Sequence, residues 1–354
     1  MSTHEPLIAE RRESTPATPT NTPLVEPDHP ASHGRRWVGL LVSALTIGGF
    51  VWWAVHQEKP TIPTSPEALA ELAAAVLVYA VATVVRGWRW HVILRRAGIR
   101  HARADAYALV PVGYMGNTIL PARGGELLRV VLLAGRSPAR KREIAGSIVA
   151  ERLLDALVLT ALFCALTFVG VNDTSAGDAP AWIGTALLVL AAVLGVLALR
   201  LRDHPRLAPL VAKVRPIAAA SVLLLRPIGA LLAVVTAGVW LLEGVIFYLV
   251  GQSLDLPIGL VDGLFLVVLS SFFALIPAAP AYAGTFDTAI VFGLKALGIT
   301  GGAAVSFAIL VRAVLFVPIT IAGLVLVLVR YGGRRAFRLA RAQDDAPERK
   351  RLAR

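Results

Sequence analysis

Apolar residues run through this chain in blocks of about twenty, separated by short polar or basic segments. A helix needs about 20 apolar residues to cross the hydrocarbon of a bilayer. Residues 37–55, 69–94, 144–170, 181–200, 228–250 and 303–329 meet that requirement and predict six spanning helices. Two further apolar stretches, 105–132 and 260–299, are broken in the middle by Pro, Gly and polar side chains. Ahead of the first block, residues 1–36 place Pro6, Pro16, Pro19, Pro23, Pro27 and Pro30 among Thr, Ser, Glu and His. Such a segment has too little apolar surface to offset its ordering entropy and predicts a disordered tail. It is too long and too acidic for the n-region of a secretory signal, so 37–55 is expected to stay as a span.

The segments between blocks carry orientation. Arg86, Arg89, Arg95, Arg96, Arg100 and Arg103 crowd the end of the second block, and Arg129, Arg136, Arg140, Lys141 and Arg142 precede the next. Further Arg and Lys fill 201–227 and the tail 331–354. By contrast 171–180 and 251–259 have none, but carry Asp173, Asp178 and Asp255. Loops rich in Lys and Arg stay on the cytoplasmic side. The basic clusters and both termini are therefore expected in the cytoplasm, in a multi-pass protein of the cytoplasmic (inner) membrane. The broken stretch 105–132 then has both ends inside, and 260–299 has both ends outside. Each is expected to enter the bilayer and return, unless both are plain spans kinked at proline.

The expected fold is an all-α integral membrane protein. It has about six spanning helices plus two re-entrant helical hairpins arranged as an inverted repeat, with halves 69–170 and 228–329 in a membrane domain 37–330. In transporters that arrangement places a binding site near the midplane, between paired broken helices.

Composition narrows the function. The chain is 56% hydrophobic and 16% charged, with a mean hydropathy of +0.68, against about 25% charged in an ordinary soluble domain. A soluble globular enzyme is excluded. The net charge of +12 follows membrane topology, so no nucleic-acid partner is expected. Cys164 is the single cysteine, which rules out an intrachain disulfide and a cysteine-based metal site. Neither a phosphate-binding Gly-x-x-x-x-Gly-Lys loop nor a Gly-x-Gly-x-x-Gly fingerprint occurs, and the histidines lack metal-ligand spacing. No cofactor or metal is expected.

Candidate chemistry gathers where charge meets the apolar runs. Asn117, Pro121, Arg123, Gly124, Gly125, Glu126 and Arg129 fall at the first break. Pro and Gly let the backbone turn, and Arg123, Glu126 and Arg129 share a helical face at spacing three. Helix-start N–H groups beside arginine forks suit a phosphate oxygen. Alternatively, Glu126 pairs with Arg123 or Arg129 and pins the hairpin. Glu151, Arg152 and Asp155 lie in the next span, where charges are costly and face a bundle interior or a wet cavity. A boundary salt bridge is the other account of them. The second break supplies Asp287, and Arg312 and Glu243 in the flanking spans are candidates to pair with each other. Arg86-Gly87-Trp88-Arg89-Trp90 has the pattern of an interfacial anchor with snorkelling arginines.

Three groups of residues resemble one family. They are Asn117-x-x-Leu120-Pro121-x-Arg123-x-Gly125-Glu126-x-x-Arg129, Glu151-Arg152-x-x-Asp155 and Pro277-x-x-Pro280-x-x-x-Gly284-x-Phe286. Together they resemble the lysylphosphatidylglycerol synthase transmembrane region, a flippase-type membrane family. The resemblance covers roughly 37–330 and extends to Arg86–Trp90 and Arg312. It implies movement of a phospholipid or other phosphate-bearing lipid between leaflets, with the charged residues of both breaks at the site. The soluble aminoacyl-transfer domain of two-domain relatives is not expected after the last span, so no enzymatic activity is expected. The expected partners are membrane lipids: an anionic or zwitterionic phospholipid, or a polyprenyl-phosphate lipid. Self-association into a homo-oligomer is left open. The rival functions are a lipid-linked glycosyl- or acyl-transfer enzyme and a non-transporting membrane partner of an envelope-lipid enzyme.

Overall fold

The computed structural model describes residues 61–120, 123–169, 220–274, 280–282 and 284–332. The expected tail 1–36, the spans 37–55 and 181–200, most of the 201–227 loop and the tail beyond residue 332 lie outside the described residues. The described residues form eight α-helices and no strand. They are α1 (Pro66–Arg96), α2 (Arg103–Ile119), α3 (Gly124–Ala134), α4 (Lys141–Val169), α5 (Pro227–Gln252), α6 (Leu260–Phe273), α7 (Thr285–Ala296) and α8 (Gly301–Arg330).

Three of these, α1, α5 and α8, are long and apolar enough to cross a membrane. Their ends follow from local chemistry. Ser65 Oγ accepts a hydrogen bond from the Ala68 N–H at 3.2 Å and Pro66 opens α1, since a proline there forfeits no helical hydrogen bond. Arg95 and Arg96 close the same helix, where cations complement its dipole. Pro227 opens α5 in the same way. Helix α4 is 29 residues long but carries Glu151, Arg152 and Asp155 along its length.

The interrupted stretches form two helix pairs. In the first, α2 has 17 residues and α3 has 11; in the second, α6 has 14 and α7 has 12. At 1.5 Å per residue none exceeds about 26 Å, short of the roughly 30 Å hydrocarbon core. Both pairs restart their second helix by the same means. Arg123, at φ 58°, turns the chain into α3, and Asn117 Oδ1 accepts from the Gly125 N–H at 3.0 Å. Gly284, at φ 87°, turns the chain into α7, and Asp287 Oδ2 accepts from the Gly284 N–H at 3.0 Å. A side-chain acceptor thus satisfies a donor that a helix start leaves unpaired.

Helix α2 packs on α3 and on α8, while α5 packs on α1 and α6. One apolar cluster surrounds the second pair, with Phe247, Leu266, Ile290, Leu294 and Phe307. Another surrounds the first, with Trp90, Leu109, Met115, Leu128 and Ile144. Glycine lets the paired helices touch: a Cβ on Gly125 would lie 1.8 Å from the Gly113 carbonyl oxygen. Small residues at such crossings are how membrane helices approach closely.

Outside and inside are reversed relative to a soluble protein. Leu77, Val84, Val234 and Ile321 are more than half exposed, whereas Arg89 and Thr236 are fully buried and Glu151 is 1% exposed. At one end of the bundle Asp105 Oδ1 accepts from Arg330 Nε at 2.9 Å, Tyr331 Oη at 3.1 Å and Arg136 Nη1 at 3.2 Å. That carboxylate fastens the first pair to the end of α8. Burial, with Asp105 alongside, pushes the Tyr331 hydroxyl pKa up, so it stays protonated and donating.

The close crossing makes a prediction. Gly125→Ala should destabilise the fold by about 1–3 kcal/mol through overpacking. Gly238→Ala on α5 adds its methyl to open space and should be neutral or gain up to about 1 kcal/mol of helix propensity. Thermal unfolding of both variants in detergent measures the difference.

Candidate functional site

The buried charges form one network across the first half. Arg89 on α1 donates through Nη1 to Asp155 Oδ1 at 2.6 Å and to Thr236 Oγ1 at 2.8 Å, and through Nη2 to Glu151 Oε1 at 3.3 Å. One guanidinium therefore joins α1, α4 and α5. Arg129 on α3 donates to the other oxygen of Glu151 at 2.7 Å, and its guanidinium carbon stands 4.0 Å from the centre of the Trp90 ring. Trp90 Nε1 donates in turn to Ser147 Oγ at 3.0 Å. Glu151 and Asp155 are four apart and Thr236 faces them from α5, so helical spacing delivers the acceptors to one side.

Towards the break the pairing loosens. Arg152 Nη1 lies 3.2 Å from Asp155 Oδ2. Its Nε stands 3.4 Å from Glu126 Oε1, yet the two atoms make no hydrogen bond and are both buried. Arg86 pairs with Glu243 on α5, between the rings of Tyr114 and Trp240. In the second half Arg312 on α8 grips Asp287 with two nitrogens, Nη2 to Oδ2 at 2.7 Å, and donates to the Ala281 carbonyl at 3.3 Å. Arg123 differs from all of these. Among the described residues it has no carboxylate partner, only Tyr282 of the other break, whose hydroxyl lies 3.4 Å from Nε and whose ring centre lies 5.5 Å away.

The structure thus gathers Glu126, Arg129, Glu151, Arg152 and Asp155 into one cluster. Asn117 caps α3, Arg123 sits at the tip of the first pair, and Asp287 with Arg312 forms a separate pair in the second half. Three expectations are corrected. Arg86, Arg89 and Trp90 do not anchor an interface: they are buried at 4%, 0% and 0% exposure, because carboxylates on α4 and α5 neutralise the arginines within the bundle. Glu243 and Arg312 do not pair with each other, since Arg86 and Asp287 are nearer partners for each. Glu126 has Arg152 as its neighbour rather than Arg123 or Arg129. The sequence reading also passed over Tyr114, Thr236, Trp240 and Tyr282. Thr236, Trp240 and Glu243, spaced four and three, were the readable signal of a polar stripe on α5.

Greasy helices outside, broken helix pairs and an ion-paired interior define a helical membrane protein. Residues 36–323 match the family described as the lysylphosphatidylglycerol synthase TM region, and the chain belongs to that family. A stretch of 109 residues, 31% of this chain, is 29% identical to a protein of Haloferax volcanii named glycosyltransferase AglD. That similarity spans 17% of the archaeal protein's length.

The network predicts unequal roles. Arg89→Met leaves Glu151 with Arg129 alone and Asp155 with Arg152 alone and should cost about 3–5 kcal/mol, the usual cost of removing one partner from a buried ion pair. Arg152→Met removes a side chain that is 32% exposed and should cost clearly less. Melting temperatures of the purified variants would rank them.

Proposed function

We propose that this protein moves a phospholipid or other phosphate-bearing amphiphilic lipid across the cytoplasmic membrane. The observation that carries the proposal is Arg123, a cation at the tip of a broken helix pair with no carboxylate partner among the described residues. Every other buried or half-buried arginine named above stands beside an acid. A phosphate oxygen would supply the missing charge, and Arg152, whose Nε is buried without a hydrogen bond, would supply a second donor. Charge-assisted hydrogen bonds to phosphate are among the strongest available to a side chain.

Arg89, Arg129, Glu151 and Asp155 position that site, each held to a partner on another helix. Glu126, between Arg152 and the tip, orients the arginine or meets a cationic head group. Asp287 and Arg312 do the equivalent work in the second half. In this reading the two helix pairs are re-entrant hairpins of an inverted repeat, one dipping from each face, and their tips meet at Arg123 and Tyr282. Both termini lie in the cytoplasm, as the basic clusters require. Short broken helices are tolerated at that depth because they are enclosed by other helices.

The local likeness to a glycosyltransferase supports a second reading, lipid-linked glycosyl transfer. Against it, Glu151, Asp155, Glu243 and Asp287 all have oxygens occupied by arginines, which leaves them poor candidates for a general base.

Reconstitution in liposomes with a fluorescent phospholipid or polyprenyl-phosphate lipid tests the proposal. The protein should speed transbilayer movement over protein-free vesicles, and Arg123→Ala should slow it about 10- to 100-fold, the worth of a hydrogen bond to a charged group. Equal rates with and without the protein would refute lipid movement. An unimpaired Arg123→Ala variant would remove that residue from the site.

A further inference from the structure

Apart from the Nε atoms of Arg89 and Arg129, four buried polar atoms of this region lack partners among the described residues: Arg86 Nη1, Trp240 Nε1, Arg152 Nε and Glu126 Oε1. Native proteins leave few buried polar groups unsatisfied, and each costs about 1–3 kcal/mol unless water or a ligand completes it. Two of the four occur together. The Arg86 guanidinium carbon lies 5.8 Å from the Trp240 ring centre and 5.6 Å from that of Tyr114. Arg86 is 4% exposed, so its free Nη1 is not turned out to solvent.

The chemistry of this spot differs from that of Arg123. The charge of Arg86 is already matched by Glu243, so a second anion would arrive with nothing left to neutralise it. A cationic amine would have to compete with Arg86 for the one carboxylate. What remains unfilled is a place for neutral oxygen. Two N–H donors, a carboxylate able to accept from hydroxyls, and the aromatic rings of Tyr114 and Trp240 are the parts that hold a hydroxyl-bearing ring. Its C–H face rests on an aromatic plane while its oxygens take the polar groups. Tyr114 lies on α2, the helix that leads into the Arg123 tip, so this spot and the phosphate site belong to the same helix pair.

We propose that Arg86, Tyr114, Trp240 and Glu243 form a subsite for a polyhydroxylated head group, a sugar or a cyclitol, joined to the lipid through its phosphate. The assignment rests on the lipid-moving reading for the nature of the ligand and names its head group. It predicts a neutral polyol rather than an aminoacyl group beyond the phosphate.

Native mass spectrometry of the purified full chain can measure this with two lipid pairs of matched chains. Phosphatidylinositol is compared with phosphatidic acid, and a polyprenyl-phosphate hexose with the bare polyprenyl phosphate. The wild type should bind the hydroxylated member of at least one pair about tenfold more tightly. The pair that shows the preference tells a cyclitol from a sugar. Trp240→Phe keeps a ring and removes the N–H donor, and should cut the preference to about threefold or less. No preference in the wild type, or a preference untouched in Trp240→Phe, overturns the subsite. Should Trp240→Phe fail to fold, the wild-type ratios alone still decide. A clear preference without lipid movement in liposomes would sink the transport reading and leave the subsite standing; movement without preference would do the reverse.

Discussion

Arg89 lies fully buried where α1, α4 and α5 meet, and its charge must be answered there. A lone guanidinium in an apolar interior costs several kcal/mol. Asp155, Glu151 and Thr236 meet that cost from two other helices at 2.6–3.3 Å. Much of the architecture is a consequence. Helix α4 has to carry its acids in mid-sequence, α5 has to present a polar stripe, and α3 has to bring Arg129 to the second oxygen of Glu151. Arg129 can reach that place only because Gly113 leaves room: a Cβ there would lie 2.4 Å from the arginine's Cδ.

Matched charge in the deep interior gives meaning to the places where matching fails. Among the described residues Arg123 has only an aromatic partner, and Arg86 and Trp240 keep buried donors without acceptors. A bundle selected for stability alone would close such gaps with apolar side chains, which often stabilise as well or better than buried ions. Arg123 stands at a helix break, where non-helical backbone also needs an enclosed setting, whereas Arg86 and Trp240 face each other from the continuous helices α1 and α5. Paired groups hold the helices together, while single buried atoms such as Arg86 Nη1 and Trp240 Nε1 stay without a partner among the described residues.

The breaks themselves show how little sequence is needed to interrupt a helix. Asn117 and Asp287 each supply one acceptor to one backbone N–H, and Arg123 and Gly284 each take a left-handed conformation. For Gly284 that conformation costs nothing sterically. For Arg123 it is held at a small strain, which aims the side chain at Tyr282 across the gap.

Helix positions were legible in the sequence because an apolar run long enough to cross a bilayer has few other fates. The blocks 69–94, 228–250 and 303–329 agree with α1, α5 and α8 to within three residues at each end, and both interrupted stretches became paired short helices. The clustering of Glu126, Arg129, Glu151, Arg152 and Asp155 was also within reach, since intramembrane charges must find one another. What the sequence did not reveal was which charge meets which. Arg86 and Arg89 resembled interfacial anchors because spacing along one helix says nothing about carboxylates 62 to 157 positions away. Partner choice is a matter of distance between helices, and that distance is set by glycine crossings and side-chain packing. Local pattern thus determined the elements and the demand for neutral pairs, while the tertiary structure alone decided the pairings and left Arg123 without an acid among the described residues.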